Sequence, residues 1–205
     1  MAQSLMQKAL MHPGVKLVVW VLCLCPLAVL VEGAVHDRLG ANPAEALIRS
    51  LGDWALRGLC LTLAVTVLRQ LTGWSALARF RRVLGLFAFF YAALHGASYA
   101  WLDMAWDWAA MAQDLGKRPF ILVGALALGV LTLLAATSPK AAVRVLGSAC
   151  WQRLHLGIHL AAWLVLLHFW WMRAAKNHVQ EVWVYVAIIA GLQAWRLGRR
   201  WRRST

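Results

Sequence analysis

Four of the seven histidines, His95, His155, His159 and His168, lie inside long apolar stretches of the chain. The other three, His12, His36 and His178, fall between or at the edges of such stretches and read as solvated loop residues. An imidazole in hydrocarbon surroundings costs free energy unless a partner satisfies it. That partner is either a neighbouring helix, which makes the histidine structural, or a cofactor. His95 sits on one apolar block and the other three share a later one. At ~1.5 Å per helical residue, His95 lies ~20 Å beyond Arg82 and His168 ~22 Å beyond Arg153. The two imidazoles therefore reach a similar depth, as two axial ligands on one metal centre must. Zinc would want more ligands, and the block between them, Pro119–Thr137, holds no His, Cys, Asp or Glu. Two histidines do fill both axial positions of a haem iron. Such a centre disfavours oxygen binding and suits outer-sphere electron transfer.

His155 lies ~3 Å above Arg153, near the opposite membrane face. It is thirteen residues from His168, about 140° around an ideal helix, so the two cannot face one cofactor together. Three roles are open to it: a ligand to a second haem, a contact for a haem propionate, or a contact for a flavin. The first lacks a partner, because no histidine lies near Arg82 on the facing block. His159 points nearly opposite His168, and either a structural or a cofactor role is open to it. Arg81, Arg82 and Arg153 stand at the same end of the two blocks. Their ordinary role is interfacial anchoring. Guanidinium forks also suit propionates and flavin phosphates, so Arg82 and Arg153 are candidate cofactor contacts.

The elements that must position these residues are membrane helices. The chain of 205 residues is 62% hydrophobic and only 14% charged. Soluble domains carry about 25% charged residues. Six apolar blocks approach the roughly 20 residues that a crossing needs: Leu17–Val35, Trp54–Leu71, Val83–Leu102, Pro119–Thr137, Trp151–Met172 and Val182–Leu197. They predict an all-α, polytopic membrane protein with six helices in one domain spanning residues 1–205. The first block resembles a signal peptide, but Glu32 occupies the place where a cleavage site wants a small residue, so it reads as an uncleaved helix.

The net charge of +13 does not point to nucleic acid. With the N-terminus in the cytoplasm and the blocks alternating, fourteen bases and no acid fall on the cytoplasmic side. All eight acids fall on the other: Glu32, Asp37, Glu45, Asp53, Asp103, Asp107, Asp114 and Glu181. That asymmetry is the positive-inside pattern, and it predicts that both termini are cytoplasmic. The basic tail after Trp195 then lies against anionic lipid. Most of the thirteen tryptophans sit near block ends, as an interfacial belt requires. The four cysteines form no CxxC pair. No GxGxxG unit or P-loop is present, so no dinucleotide-binding domain is expected. Between blocks, Gly40-Ala41-Asn42-Pro43 is a turn signal, Glu45–Ser50 reads as a short interfacial helix, and Asp103–Arg118 is the longest external loop.

Several segments resemble one family. Arg81-Arg82-Val83-Leu84-Gly85-Leu86 with Tyr91 and Leu94-His95 is similar to the third helix of the MsrQ (YedZ) family. Trp151-Gln152-Arg153-Leu154-His155, with His168 thirteen residues on, is similar to its fifth. Leu39–Glu45, Gly52–Arg57 and Lys117–Phe120 resemble its loop motifs. The resemblance covers nearly the whole chain. It implies a ferric-reductase-like transmembrane domain in the bacterial inner membrane. It also implies b-type haem, FMN, and His95, His155 and His168 as key histidines, with His159 an extra. The implied function is electron transfer from quinol, or from a cytoplasmic flavin reductase, to a periplasmic molybdopterin-containing enzyme that reduces methionine sulfoxide in proteins. The chain would be an electron-transfer subunit rather than the catalytic one. Two other readings stand beside it: a membrane haem reductase for another acceptor such as ferric iron, and a transporter or assembly protein with structural histidines.

Overall fold

The computed structural model describes residues 2–174 and 179–204. His178 lies outside the described residues. Among the described residues all regular structure is helical. The order is α1 (Ala2–Met11), α2 (Pro13–Val35), α3 (Pro43–Thr72), α4 (Ala78–Ser98), α5 (Trp108–Lys117), α6 (Pro119–Ala136), α7 (Lys140–Leu146), α8 (Ser148–His155), α9 (Gly157–Ala174) and α10 (Gln180–Ser204). A 3₁₀ turn, Ser75–Leu77, leads into α4, and a π-helical turn, Tyr99–Asp103, extends it.

Each of the six apolar blocks is helical. Among the described residues, five helices are long and apolar enough to cross a membrane: Pro13–Val35, Pro43–Thr72, Ser75–Asp103, Pro119–Ala136 and Ser148–Ala174. Along α2 the side chains of Leu17, Val18, Val21, Leu22, Val29 and Val31 are exposed. Together with the length of the helix, an exposed apolar face of that extent fits a lipid environment. The protein is thus an all-α, multi-pass membrane protein. The sixth block differs in degree. The apolar part of α10 ends at Arg196, and Arg199, Arg200, Arg202 and Arg203 follow on the same helix. That leaves less than the roughly 20 apolar residues of a full crossing.

The chain divides into two compact units, one running to Ala88 and resuming at Ile188, the other Phe89–Ala187. In the first, α3 supplies the core through Leu56, Leu59 and Leu63. Its start is fixed by Asn42, whose side chain accepts from the Glu45 amide at 3.2 Å, with Pro43 at the first helical position. The helix does not stop after Ser50: Glu45–Ser50 is the first turns of one 30-residue helix, not a separate element. Gly58 lets α4 approach closely, since a Cβ there would meet Ala88 at 3.1 Å. Gly73 ends α3 with φ of 73°, a conformation glycine adopts without cost. His12 is the N-cap of α2 and accepts from the Gly14 amide at 3.1 Å.

In the second unit α6 packs along α9. Ala161 and Ala162 are fully buried, and Gly157 sits 3.6–3.7 Å from Val130 and Leu134 in terms of its missing Cβ. Small residues of this kind let membrane helices approach closely. The fifth apolar block is not one straight helix. Leu156 interrupts it, and the His159 amide donates to the Leu156 carbonyl at 3.0 Å in a tightened turn. The ideal-helix angle between His155 and His168 therefore does not apply.

Candidate cofactor site

His95 and His168 meet in the second unit. Their ring centroids are 6.1 Å apart and the rings are nearly perpendicular, at 77°. A metal held by two imidazole nitrogens at about 2.0–2.1 Å each, with each nitrogen about 1.1 Å from its ring centre, separates the centroids by about 6.3 Å. The observed spacing is close to that value. Among the described residues no three or more His, Cys, Asp or Glu side chains converge on a metal position. Two imidazoles are the number that haem iron would take from the protein, and fewer than structural zinc would take.

The orientation of His168 has a visible cause. Its Nδ1 lies 2.6 Å from the backbone carbonyl of Phe120, in the first turn of α6. A carbonyl only accepts, so Nδ1 carries the proton and Nε2 keeps its lone pair. A backbone or carboxylate partner on one imidazole nitrogen commonly fixes the other for a metal. Gly124 makes the contact sterically feasible. A Cβ at that position would stand 2.8 Å from Nδ1 and 2.9 Å from Cε1 of His168. The Phe120 ring lies 6.0 Å from the same imidazole.

The start of α6 is itself anchored. Asp114, in α5, is buried and accepts from Tyr99 Oη at 2.7 Å and from Arg118 Nε at 3.0 Å. Arg118 is the N-cap residue of α6, and Tyr99 opens the π-helical turn one helical turn beyond His95. The chain then leaves the π turn through Ala105 and Trp106, both at positive φ, with the Trp106 amide donating to the Ala100 carbonyl at 2.8 Å. Asp107 caps α5 through the Ala110 amide at 2.9 Å. The segment that reads as a loop from sequence is therefore largely a helix that ties α4 to α6. Asp103 and Asp107 remain exposed; Asp114 does not.

His155 is held elsewhere. Its Nε2 is 3.1 Å from Thr137 Oγ1, the C-cap residue of α6, and its ring stacks on Trp151 at 4.0 Å. Trp151 Nε1 donates to the Thr137 carbonyl at 2.8 Å. His159 is half-buried in the first turn of α9. Arg82, on α4 in the first unit, and Arg153, on α8 in the second, are both exposed.

A family model described as ferric reductase like transmembrane component matches residues 51–169. A protein of Polaromonas naphthalenivorans (strain CJ2) is 54% identical over 198 residues, covering 97% of this chain and 90% of the relative. It is named protein-methionine-sulfoxide reductase heme-binding subunit MsrQ. The chain belongs to the MsrQ family. Relatives with the same name in Bordetella pertussis (strain Tohama I) and Xanthomonas campestris pv. campestris (strain 8004) are 48% and 45% identical. They cover 82% of this chain in both cases, and 81% and 77% of their own lengths. No solved structure matches the chain. The matched segment contains His95, His155, His168, Arg82 and Arg153. It also contains Phe120, Gly124, Asp114 and Tyr99, which reading for chemistry-bearing side chains passes over. One signal for Gly124 was available: a glycine within an apolar membrane helix marks a close approach.

Proposed function

We propose that this chain is the haem-binding, electron-transferring membrane subunit of a methionine sulfoxide reductase system, in which His95 and His168 would hold one b-type haem. The observation that carries the reading is the ring pair, 6.1 Å between centroids, with the proton of His168 fixed on Nδ1 by Phe120. Bound there, the haem supplies a one-electron centre. The residues of the chain do the rest. His95 and His168 would hold the haem iron between them, leaving no position for an exogenous ligand. The apolar walls of α4, α6 and α9 exclude water and favour the less charged form of the centre.

The charge pattern supports six crossings in the bacterial inner membrane, with both termini cytoplasmic. Electrons then come from a quinol in the membrane or a flavin reductase at the basic cytoplasmic face. They leave at the acidic outer face to a periplasmic molybdopterin-containing partner, which carries out the reduction of methionine sulfoxide. Arg82 and Arg153 suit a haem propionate or the phosphate of FMN at the inner end. His155 acts at that end, in electron uptake or as ligand to a second haem. The description of the matching family model favours one second reading: the same centre reducing another acceptor, such as ferric iron. The test is a visible spectrum with haem quantitation on the purified protein, followed by reoxidation with candidate acceptors. A low-spin b-type spectrum is expected. A protein purified without a Soret band would overturn the proposal.

A further inference from the structure

His168 meets α6 in a way that ordinary helix packing does not require. The helix approaches the imidazole with its backbone rather than a side chain. At Gly124 the missing Cβ leaves the space that the Nδ1 edge of the ring occupies, and the ring atoms there are rigid. They are not the far end of a flexible chain that could swing away. The Phe120 carbonyl already has a helical donor, the Gly124 amide four residues on. It takes the His168 proton as a second hydrogen bond, at 2.6 Å. Glycine in a helix interior is destabilising relative to alanine. Here it opens the helix surface at the one point where a ligand histidine needs an acceptor.

We propose that Gly124 and the Phe120 carbonyl form a backbone clamp on His168 that lowers the reduction potential of the iron its Nε2 binds. This rests on the ligand assignment above. The physics is that of an outer-shell hydrogen bond. A proton drawn toward a carbonyl makes the imidazole more electron-rich and a stronger donor. A stronger donor stabilises ferric over ferrous iron, so the centre gives up its electron more readily. An electron-transfer subunit that must reduce a partner gains from that direction. Gly124 and the Phe120 carbonyl are thus positioning elements: neither touches the iron, and both act through His168.

The chain contains its own control. Gly129 lies on the same helix, and a Cβ added there meets nothing within 4 Å. Gly124→Ala and Gly129→Ala change helix propensity alike, but only the first drives a methyl group into the imidazole. The experiment is a potentiometric titration of purified parent and both variants, followed by the visible haem bands. In Gly124→Ala the ferrous-to-ferric ratio at fixed ambient potential should rise about tenfold, a positive shift of about 59 mV for a one-electron couple. Gly129→Ala should titrate with the parent. Coincident curves for parent and Gly124→Ala, or equal shifts in both variants, overturn the clamp.

If Gly124→Ala does not accumulate with haem, the parent alone decides. Electron–nuclear double resonance of the ferric protein should detect an imidazole N–H proton that exchanges slowly with deuterium oxide. Rapid exchange of every such proton overturns the clamp. Full haem retention by His168→Ala is a separate failure. It removes the ligand assignment, and the clamp with it.

Discussion

The two ends of α6 hold two histidines in opposite ways. At its first turn the Phe120 carbonyl accepts from Nδ1 of His168, whose ring lies 6.1 Å from that of His95. At its C-cap, Thr137 Oγ1 donates to the Leu133 carbonyl at 2.7 Å and so accepts from Nε2 of His155. That nitrogen would have to give up Thr137 before it bound a metal. Phe120 and Thr137 are seventeen residues apart, or about 25 Å along the helix. One cofactor centre cannot take both histidines. Burial does not distinguish the two histidines, since both are partly buried. The ring nitrogen that α6 occupies does.

The strongest way to break this comparison is to remove the histidines. His95→Ala and His168→Ala should each lose the low-spin haem while the protein still inserts. His155→Ala should keep it. Haem per chain, measured as the pyridine haemochrome, distinguishes these outcomes, and haem loss confined to His155→Ala would reverse the assignment.

A smaller effect is expected at Asp114. Replacement by Ala leaves the part-buried Tyr99 Oη without its acceptor and releases the exposed Arg118 side chain to solvent. The cost should be about 1–3 kcal/mol, read as a lower midpoint in thermal unfolding in detergent. At the other end, Thr137→Val removes only the hydroxyl partner of His155 and should cost about 1 kcal/mol, with haem content unchanged. A Thr137→Val protein more destabilised than Asp114→Ala would invert the ranking of the two ends.

The weakest effect concerns the outer surface. Asp103 and Asp107 are exposed, whereas Asp114 is spent internally. Asp103→Asn with Asp107→Asn should slow reoxidation of reduced haem by a basic partner a few-fold at low salt, and the difference should fade as salt is added. Asn retains the capping role of Asp107, so α5 is undisturbed. Equal rates at every ionic strength would move the docking surface elsewhere.

Much of this was legible in the sequence because membrane helices announce themselves by length and apolarity. His95 and His168 were paired by depth alone, counted from Arg82 and Arg153, and the structure brings those two rings together. Backbone contributions were not legible. The Phe120 carbonyl has no side-chain signature, and Gly124 looks like any small residue on an apolar helix. The break at Leu156 carries no proline; it falls directly before a glycine, Gly157. Asp114 read as an exposed loop acid because the partner that buries it, Tyr99, lies fifteen residues earlier on another helix.

The most direct test of the central claim is the near-infrared magnetic circular dichroism of the ferric protein, whose charge-transfer band reports the axial ligand atoms of haem. The account predicts a bis-imidazole band in the parent that persists unchanged in His155→Ala and is absent from His95→Ala and from His168→Ala. A parent band from any other ligand pair, or a bis-imidazole band that survives the loss of His95 or His168, would contradict it.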